Sequence, residues 1–177
     1  MPALTLELRP RAEQTAFNLR RWAEVLADPE LRKVPGRVET DRHGRIIMSP
    51  PLAPRHGRLQ AEITALLKKR LPKGTTVTEC PVSTADGVKS VDVAWASPEC
   101  WGELENRTVF IRCPEICVEV TSPSNTEEEI REKMALYFDA GAKEVWLCGL
   151  FGTVSFYGPG SVALARSQLC PDFPSQV

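Results

Sequence analysis

Residues 116–148 read ICVEVTSPSNTEEEIREKMALYFDAGAKEVWLC. ICVEVT is predicted as a strand, Thr126 to Ala140 as a helix ended by Gly141, and EVWLC, residues 144–148, as a second strand. Ile130, Met134, Tyr137 and Phe138 recur at helical spacing and turn one face to a sheet. A strand, a helix and a strand in succession form a right-handed crossover, which sets the two strands parallel. The first strand holds Glu119 between valines. An ionised carboxylate buried there without a partner costs several kcal/mol, so it must be paired, neutralised or used to hold a metal.

Outward from this unit the pattern stays mixed. A first helix from Ala12 to Ala27 carries Leu19, Trp22 and Leu26 as its apolar stripe and ends at Asp28-Pro29-Glu30. RVETDRHGRIIMS, residues 37–49, reads as a hairpin around a type I turn with Asp41 first and Gly44 last. After PPLAP a second helix is predicted from Arg55 to Leu71, with Leu59, Ile63, Leu66 and Leu67 inward and Pro72 and Gly74 closing it. Residues 75–84 and 88–96 form two strands joined across Asp86-Gly87. A short helix or loop fills Pro98 to Asn106, and TVSFY, residues 153–157, is one more strand. LCPDFPSQV, the C-terminal end, reads as a loosely held terminus. This order of elements specifies a mixed sheet with helices packed on it.

The chain has 177 residues, 42% of them hydrophobic, enough for a single core. Twenty-two Lys and Arg balance 23 Asp and Glu. No global field therefore draws it to nucleic acid or an anionic membrane, and a polyanion would need a local basic patch. The start, MPALTLELRP, lacks a charged segment followed by an apolar run, and no apolar stretch approaches the ~18 residues of a membrane span. A cytoplasmic protein with no membrane partner is expected. Cysteines 80, 100, 113, 117, 148 and 170 form no CxxC pair, and only His43 and His56 could assist them, so small buried hydrophobes are expected rather than a zinc site.

In SVDVAW, alternation puts Val91, Val93 and Trp95 on one face and Asp92 and Ala94 on the other. In ICVEVT it puts Ile116, Val118 and Val120 on one face and Cys117, Glu119 and Thr121 on the other. Each acid alone has an ordinary explanation, as an edge residue or an arginine's partner. Placed on adjacent strands, however, the two can share a divalent ion, since Mg²⁺ takes one or two carboxylates and keeps several waters.

SVDVAWASPECW, followed by CPEICVEVTSPSNTEEEIREKMALYFDAGAKEVWLC and preceded by RVETDRHGRIIMSP, resembles the Uma family of putative restriction endonucleases, a branch of the PD-(D/E)XK nuclease superfamily. The likeness covers roughly Arg37 to Tyr157. It implies an α/β fold: a restriction-endonuclease-like core over residues 36–157, with a mixed central sheet flanked by helices. An N-terminal helical extension over 1–35 would precede it and a tail over 158–177 would follow, all in one domain. It also implies Mg²⁺ or Mn²⁺ held by Asp92, Glu119 and Val120. The superfamily's strand lysine is replaced here by Thr121, and the proline usual before the aspartate by Val91. The family resemblance carries the catalytic cation to Lys133, in the E-K-x-x-x-Y helix about 40° from Tyr137 around the wheel. Glu39 matches an acid that the family often carries in its first hairpin, a third ligand or an orienting group, or else the partner of a surface base. His56 starts the second helix, where it approaches the same cleft.

The function implied is Mg²⁺-dependent hydrolysis of a DNA phosphodiester, with catalytic residues Asp92, Glu119, Lys133, Glu39 and His56. Arg58, Lys89, Arg131 and Lys133 would grip the backbone, and Ser122 and Ser124 would donate to a phosphate if they are not simply turn residues. Trp22 or Trp101, if exposed, would anchor a homodimer. The alternative is a nuclease fold without turnover, kept as a binding or assembly module; the near-neutral charge and missing strand lysine favour it. No zinc finger, basic arm or helix-turn-helix is present to set specificity.

Overall fold

The computed structural model describes residues 8–177. The leader reading above therefore lies largely outside the described residues. Helix α1 spans Arg11–Ala27, and strands β1 (Arg37–Thr40) and β2 (Ile46–Ser49) form a separate two-stranded hairpin. Gly44 N–H closes the hairpin turn on Asp41 O at 2.9 Å, while Asp41 Oδ1 accepts from His43 and Arg45 N–H, a turn-stabilising role suited to Asp. Helix α2 (Pro54–Arg70) follows, then β3 (Thr75–Thr84), β4 (Gly87–Ala96), the short α3 (Pro98–Leu104) and β5 (Ile116–Val120). Helix α4 (Glu127–Asp139), β6 (Glu144–Cys148), β7 (Val154–Gly158) and β8 (Val162–Leu164) complete the chain. No helix among the described residues is long and apolar enough to cross a membrane.

Strands β3 to β8 lie side by side in chain order in one six-stranded sheet. Only β5 and β6 run parallel, and α4 makes the crossover between them as anticipated. One face of the sheet packs on α2 through Leu59, Ile63 and Leu67, meeting Val93, Val118 and Trp146. The other packs on α3 and α4 through Cys100, Leu104, Met134 and Tyr137, meeting Cys80, Val91, Cys117 and Val145. All six cysteines are buried and free, as small core residues would be.

Several sequence expectations fail, each for a physical reason. Val91, Val93 and Trp95 do not share a face: Val91 packs with Ala94 on the α4 side, whereas Val93 and Trp95 pack on the α2 side. The alternation slips at Asp92, opposite Glu79 of the β3–β4 hairpin, which has a left-handed φ of 50°. The register passes from Thr78–Val93 to Cys80–Val91 with Glu79 and Asp92 left between them. The loop of that hairpin is Ala85-Asp86, with Gly87 (φ 85°) already paired to Thr84. Leu26 is 42% exposed, and α1 instead buries Gln14 and Asn18 beside Trp22 and Val25. Asn18 donates to Ser83 Oγ and Thr84 O, both at 2.9 Å, so a polar face suits the polar end of β3. Trp22 is buried, and Trp101 packs edge-on against Phe110, so neither is a free dimer anchor.

Nor is the tail loose. Glu144, buried in β6, accepts from Ser167 Oγ, Gln168 N–H, Leu169 N–H and Trp146 Nε1–H at 2.7 to 2.9 Å. Phe173 packs 4.6 Å from the Trp146 ring, and Ser175 O accepts from Val154 N–H. Three donors from residues 167–169 to one buried carboxylate hold this segment against the sheet.

Candidate active site

β4 and β5 pair from Trp95–Ile116 to Val93–Val118 and then part. One step further in the same register, Asp92 stands opposite Glu119. Where a ladder bond would follow, Asp92 Oδ2 accepts the backbone N–H of Val120 at 2.7 Å. The carboxylate thus satisfies an amide that the parted strands leave without a strand partner. A cavity of about 530 Å³ opens here, and Glu39, His56, Asp92, Glu119, Val120 and Lys133 all line it.

Helix α4 supplies the Glu119 side. Its start is fixed by a reciprocal cap: Glu129 N–H donates to Thr126 Oγ1 at 3.1 Å, and Thr126 N–H to Glu129 Oε2 at 2.8 Å. One turn apart, Lys133 and Tyr137 then reach the same carboxylate. Lys133 Nζ donates to Glu119 Oε2 at 2.8 Å and Tyr137 OH to Glu119 Oε1 at 2.6 Å. Glu39 joins from β1, its Oε1 lying 3.5 Å from Lys133 Nζ and accepting Ser90 N–H at 2.7 Å. Burial drives the Glu119 carboxyl up to about 7, against the pull of Lys133 and helped by the charge of Asp92. Burial would likewise strip Lys133, but Glu119 and Glu39 hold its ammonium above the ordinary lysine range. Glu119 is therefore the partner that titrates.

The Asp92 side is built differently. Asp92 is 1% exposed, and its Oδ1 meets Arg37 Nη2 in a close ion pair. His56 Nε2 lies 3.3 Å from the same oxygen. Gln60 Nε2 approaches it at 3.5 Å and Asp92 O at 3.3 Å. Burial pushes the Asp92 carboxyl up, yet His56 and the Arg37 guanidinium outweigh it and hold the group below its usual range. Arg37 is forked onto Glu79, with Nε to Oε2 and Nη2 to Oε1 both at 2.9 Å.

The residues expected at the site line one cavity; Arg37 lines it with them, and Gln60 and Glu79 stand behind Asp92 and Arg37, three residues that the sequence reading left out. Arg37 lies two residues before Glu39 on β1, so strand alternation points it the same way. Gln60 lies one helical turn after His56. Glu79 could be placed opposite Asp92 only once the hairpin register was known, and its left-handed backbone has no signal in a Glu. Of the proposed basic grip, Lys89 and Lys133 line the cavity but Lys89 is held by Asp86 and Thr40 O. Arg58 is engaged with Glu62 at 2.6 Å and Arg131 is exposed; neither is among the lining residues, whereas Arg37 and Arg55 are. Ser122 and Ser124 bond to one another at 2.7 Å, and Ser122 N–H donates to Asn125 Oδ1, a turn arrangement at the cavity edge.

The donor set suits a hard divalent cation in kind: two acids from parted strands, with Glu39 a third carboxylate on the same cavity wall. Among the described residues, however, no three His, Cys, Asp or Glu side chains converge as a finished cluster. Arg37 and Lys133 stand where positive charge is wanted, one on each acid. A cation at Asp92 would compete with Arg37, which is paired to Oδ1, and with Val120 N–H, which occupies one acceptor site of Oδ2.

This architecture is that of a nuclease-like α/β protein. It matches the crystal structure of a putative nuclease of the DUF820 group from Anabaena variabilis, with a TM-score of 0.63 and 20% identity over 84% of this chain and 87% of that one. The chain belongs to the Uma2 family, described as "Putative restriction endonuclease", whose model matches residues 22–159. No curated protein matches it.

Proposed function

We propose that the protein is a divalent-metal-dependent endonuclease that hydrolyses DNA phosphodiester bonds, with Asp92, Glu119 and the main chain of Val120 as the metal ligands. The observation that carries this reading is the meeting of Asp92 and Glu119 at the parting of β4 and β5, with the Lys133 ammonium 2.8 Å from Glu119. Bound there, Mg²⁺ or Mn²⁺ would lower the pKa of a coordinated water and neutralise phosphate charge. Lys133 acts from its fixed place on α4, stabilising negative charge that develops on a phosphate oxygen. Tyr137 OH and Lys133 Nζ orient the two Glu119 oxygens, and Ser90 N–H does the same for Glu39. His56, beside Asp92 Oδ1, is placed to take or return a proton at Nε2.

The test is cleavage of supercoiled, linear and single-stranded DNA with Mg²⁺, beside Glu119→Ala and Lys133→Ala. The reading expects nicking by the wild type and a loss of at least about 10²-fold in each variant, the usual scale for a lost charge-stabilising group. Nicking that persists equally in both variants would assign the activity to a contaminant. A second reading, a nuclease fold retained as a binding module, draws on the occupation of both acids by Arg37 and Lys133. DNA binding without cleavage, and without any Mn²⁺-dependent rise in Tm, would favour it.

A further inference from the structure

Glu79 is the residue of this region with the least ordinary backbone. A Glu at φ 50° inside a strand is strained by roughly 1–3 kcal/mol, and such strain persists where surrounding contacts over-determine it. The contacts here are specific. Glu79 takes two hydrogen bonds from Arg37 at 2.9 Å and one from Gln60 Nε2 at 2.6 Å. Both donors also face Asp92 Oδ1. Arg37 Nη2 and Gln60 Nε2 are therefore shared between two carboxylates, one at the cavity wall and 1% exposed, the other 42% exposed at the side chain.

Oδ2 already spends one acceptor site on Val120 N–H, and Oδ1 is the oxygen at which Arg37 and Gln60 crowd any cation that Asp92 would serve. Arg37 competes for that oxygen. A dication arriving at Asp92 would repel the guanidinium, which needs another anion within reach, and Glu79 already holds it by the fork. We propose that Glu79 is a positioning residue for the metal site: by gripping Arg37 and Gln60 it draws these donors off Asp92 Oδ1 and opens that oxygen to a divalent cation. The proposal rests on the metal-site reading above and adds the device that reconciles the site with its own arginine.

The two members of the fork then act with opposite sign, which a purely structural pair would not do. Mn²⁺ affinity is measured by calorimetry, and by the metal-induced rise in Tm, for wild type, Glu79→Gln, Arg37→Gln and the double variant. Folding of each is checked by circular dichroism. Glu79→Gln leaves Asp92 as the main carboxylate partner of Arg37 and is expected to weaken Mn²⁺ binding about tenfold. Arg37→Gln removes the competitor and is expected to tighten it by a similar factor, and the double variant should resemble Arg37→Gln. Unchanged affinity in Glu79→Gln, or weakening by Arg37→Gln, would overturn the proposal while leaving a wild-type metal site standing. If neither wild type nor Arg37→Gln binds Mn²⁺, the metal-site reading falls and this proposal with it. Should Glu79→Gln fail to fold, the sign of the Arg37→Gln effect decides.

Discussion

Asp92 and Glu119 face one cavity, yet burial acts on them with different outcomes. Glu119 is pushed from its ordinary 4.5 up to about 7, so the folded protein holds its proton more tightly than the unfolded chain does. Stability from this group is greatest below about 4.5 and declines as pH rises to about 7. Thermal unfolding should show wild type losing ground to Glu119→Gln across that window and no further above it. Asp92, held below 3.8, contributes stability at higher pH that is lost only as pH falls below that value. Lys133→Met leaves Glu119 buried with Tyr137 as its remaining donor. The cost should be about 3 kcal/mol or more at pH 8 and shrink at pH 5, where Glu119 takes up a proton; urea melts at both values check this. At this scale strand alternation placed Glu119 opposite the face of Val118 and Val120, whereas it failed at Asp92, which only its apolar neighbours and the family resemblance singled out. Glu79 could not be singled out, because nothing in a glutamate's identity announces a left-handed φ.

Among the elements, α4 and the β3–β4 hairpin set the site. Thr126→Ala removes half of the reciprocal cap and should cost about 1 kcal/mol in denaturant unfolding, fraying the turn that precedes Lys133. Gly87 has φ 85°, and a Cβ there would meet Thr40 O at 2.3 Å. Gly87→Ala is therefore expected to cost more than about 2 kcal/mol, from left-handed strain and a backbone clash. It should also disturb the packing of the first hairpin on β4, seen as weakened Mn²⁺ response in a thermal melt, since Glu39 bonds to Ser90 on the same strand. The elements up to β7 were legible from periodicity and turn signals, whereas the three-residue β8 was not. Element faces were less legible: the buried Gln14 and Asn18 of α1 are explained only by Ser83 and Thr84 O at the end of β3.

For the molecule as a whole, the C-terminal segment closes the α2 face of the sheet. Phe173 is 4% exposed between Trp146 and Phe156, and Phe173→Ala should cost about 3–5 kcal/mol in chemical denaturation. This end read as loosely held in the sequence, because what anchors it is Glu144, more than twenty residues earlier in the chain. The near-neutral charge has a consequence at this scale too: a polyanion bound by this protein would have to be drawn by a local cluster of cations, not by a long-range field.

By itself the sequence determined the order of strands and helices from α1 to β7, the parallel crossover through α4, and which acids stand among apolar neighbours; β8 lies in what read as the tail. What it determined follows from local periodicity, turn chemistry and the cost of burying charge, all of which act over a few residues. Only the tertiary structure decided that β4 and β5 part at Asp92, that Arg37 and Glu79 meet beside it, and that Glu119 rather than Lys133 titrates. Those outcomes depend on which distant groups share a space from which water is largely excluded, where a partner a few ångströms away outweighs any local preference of the chain.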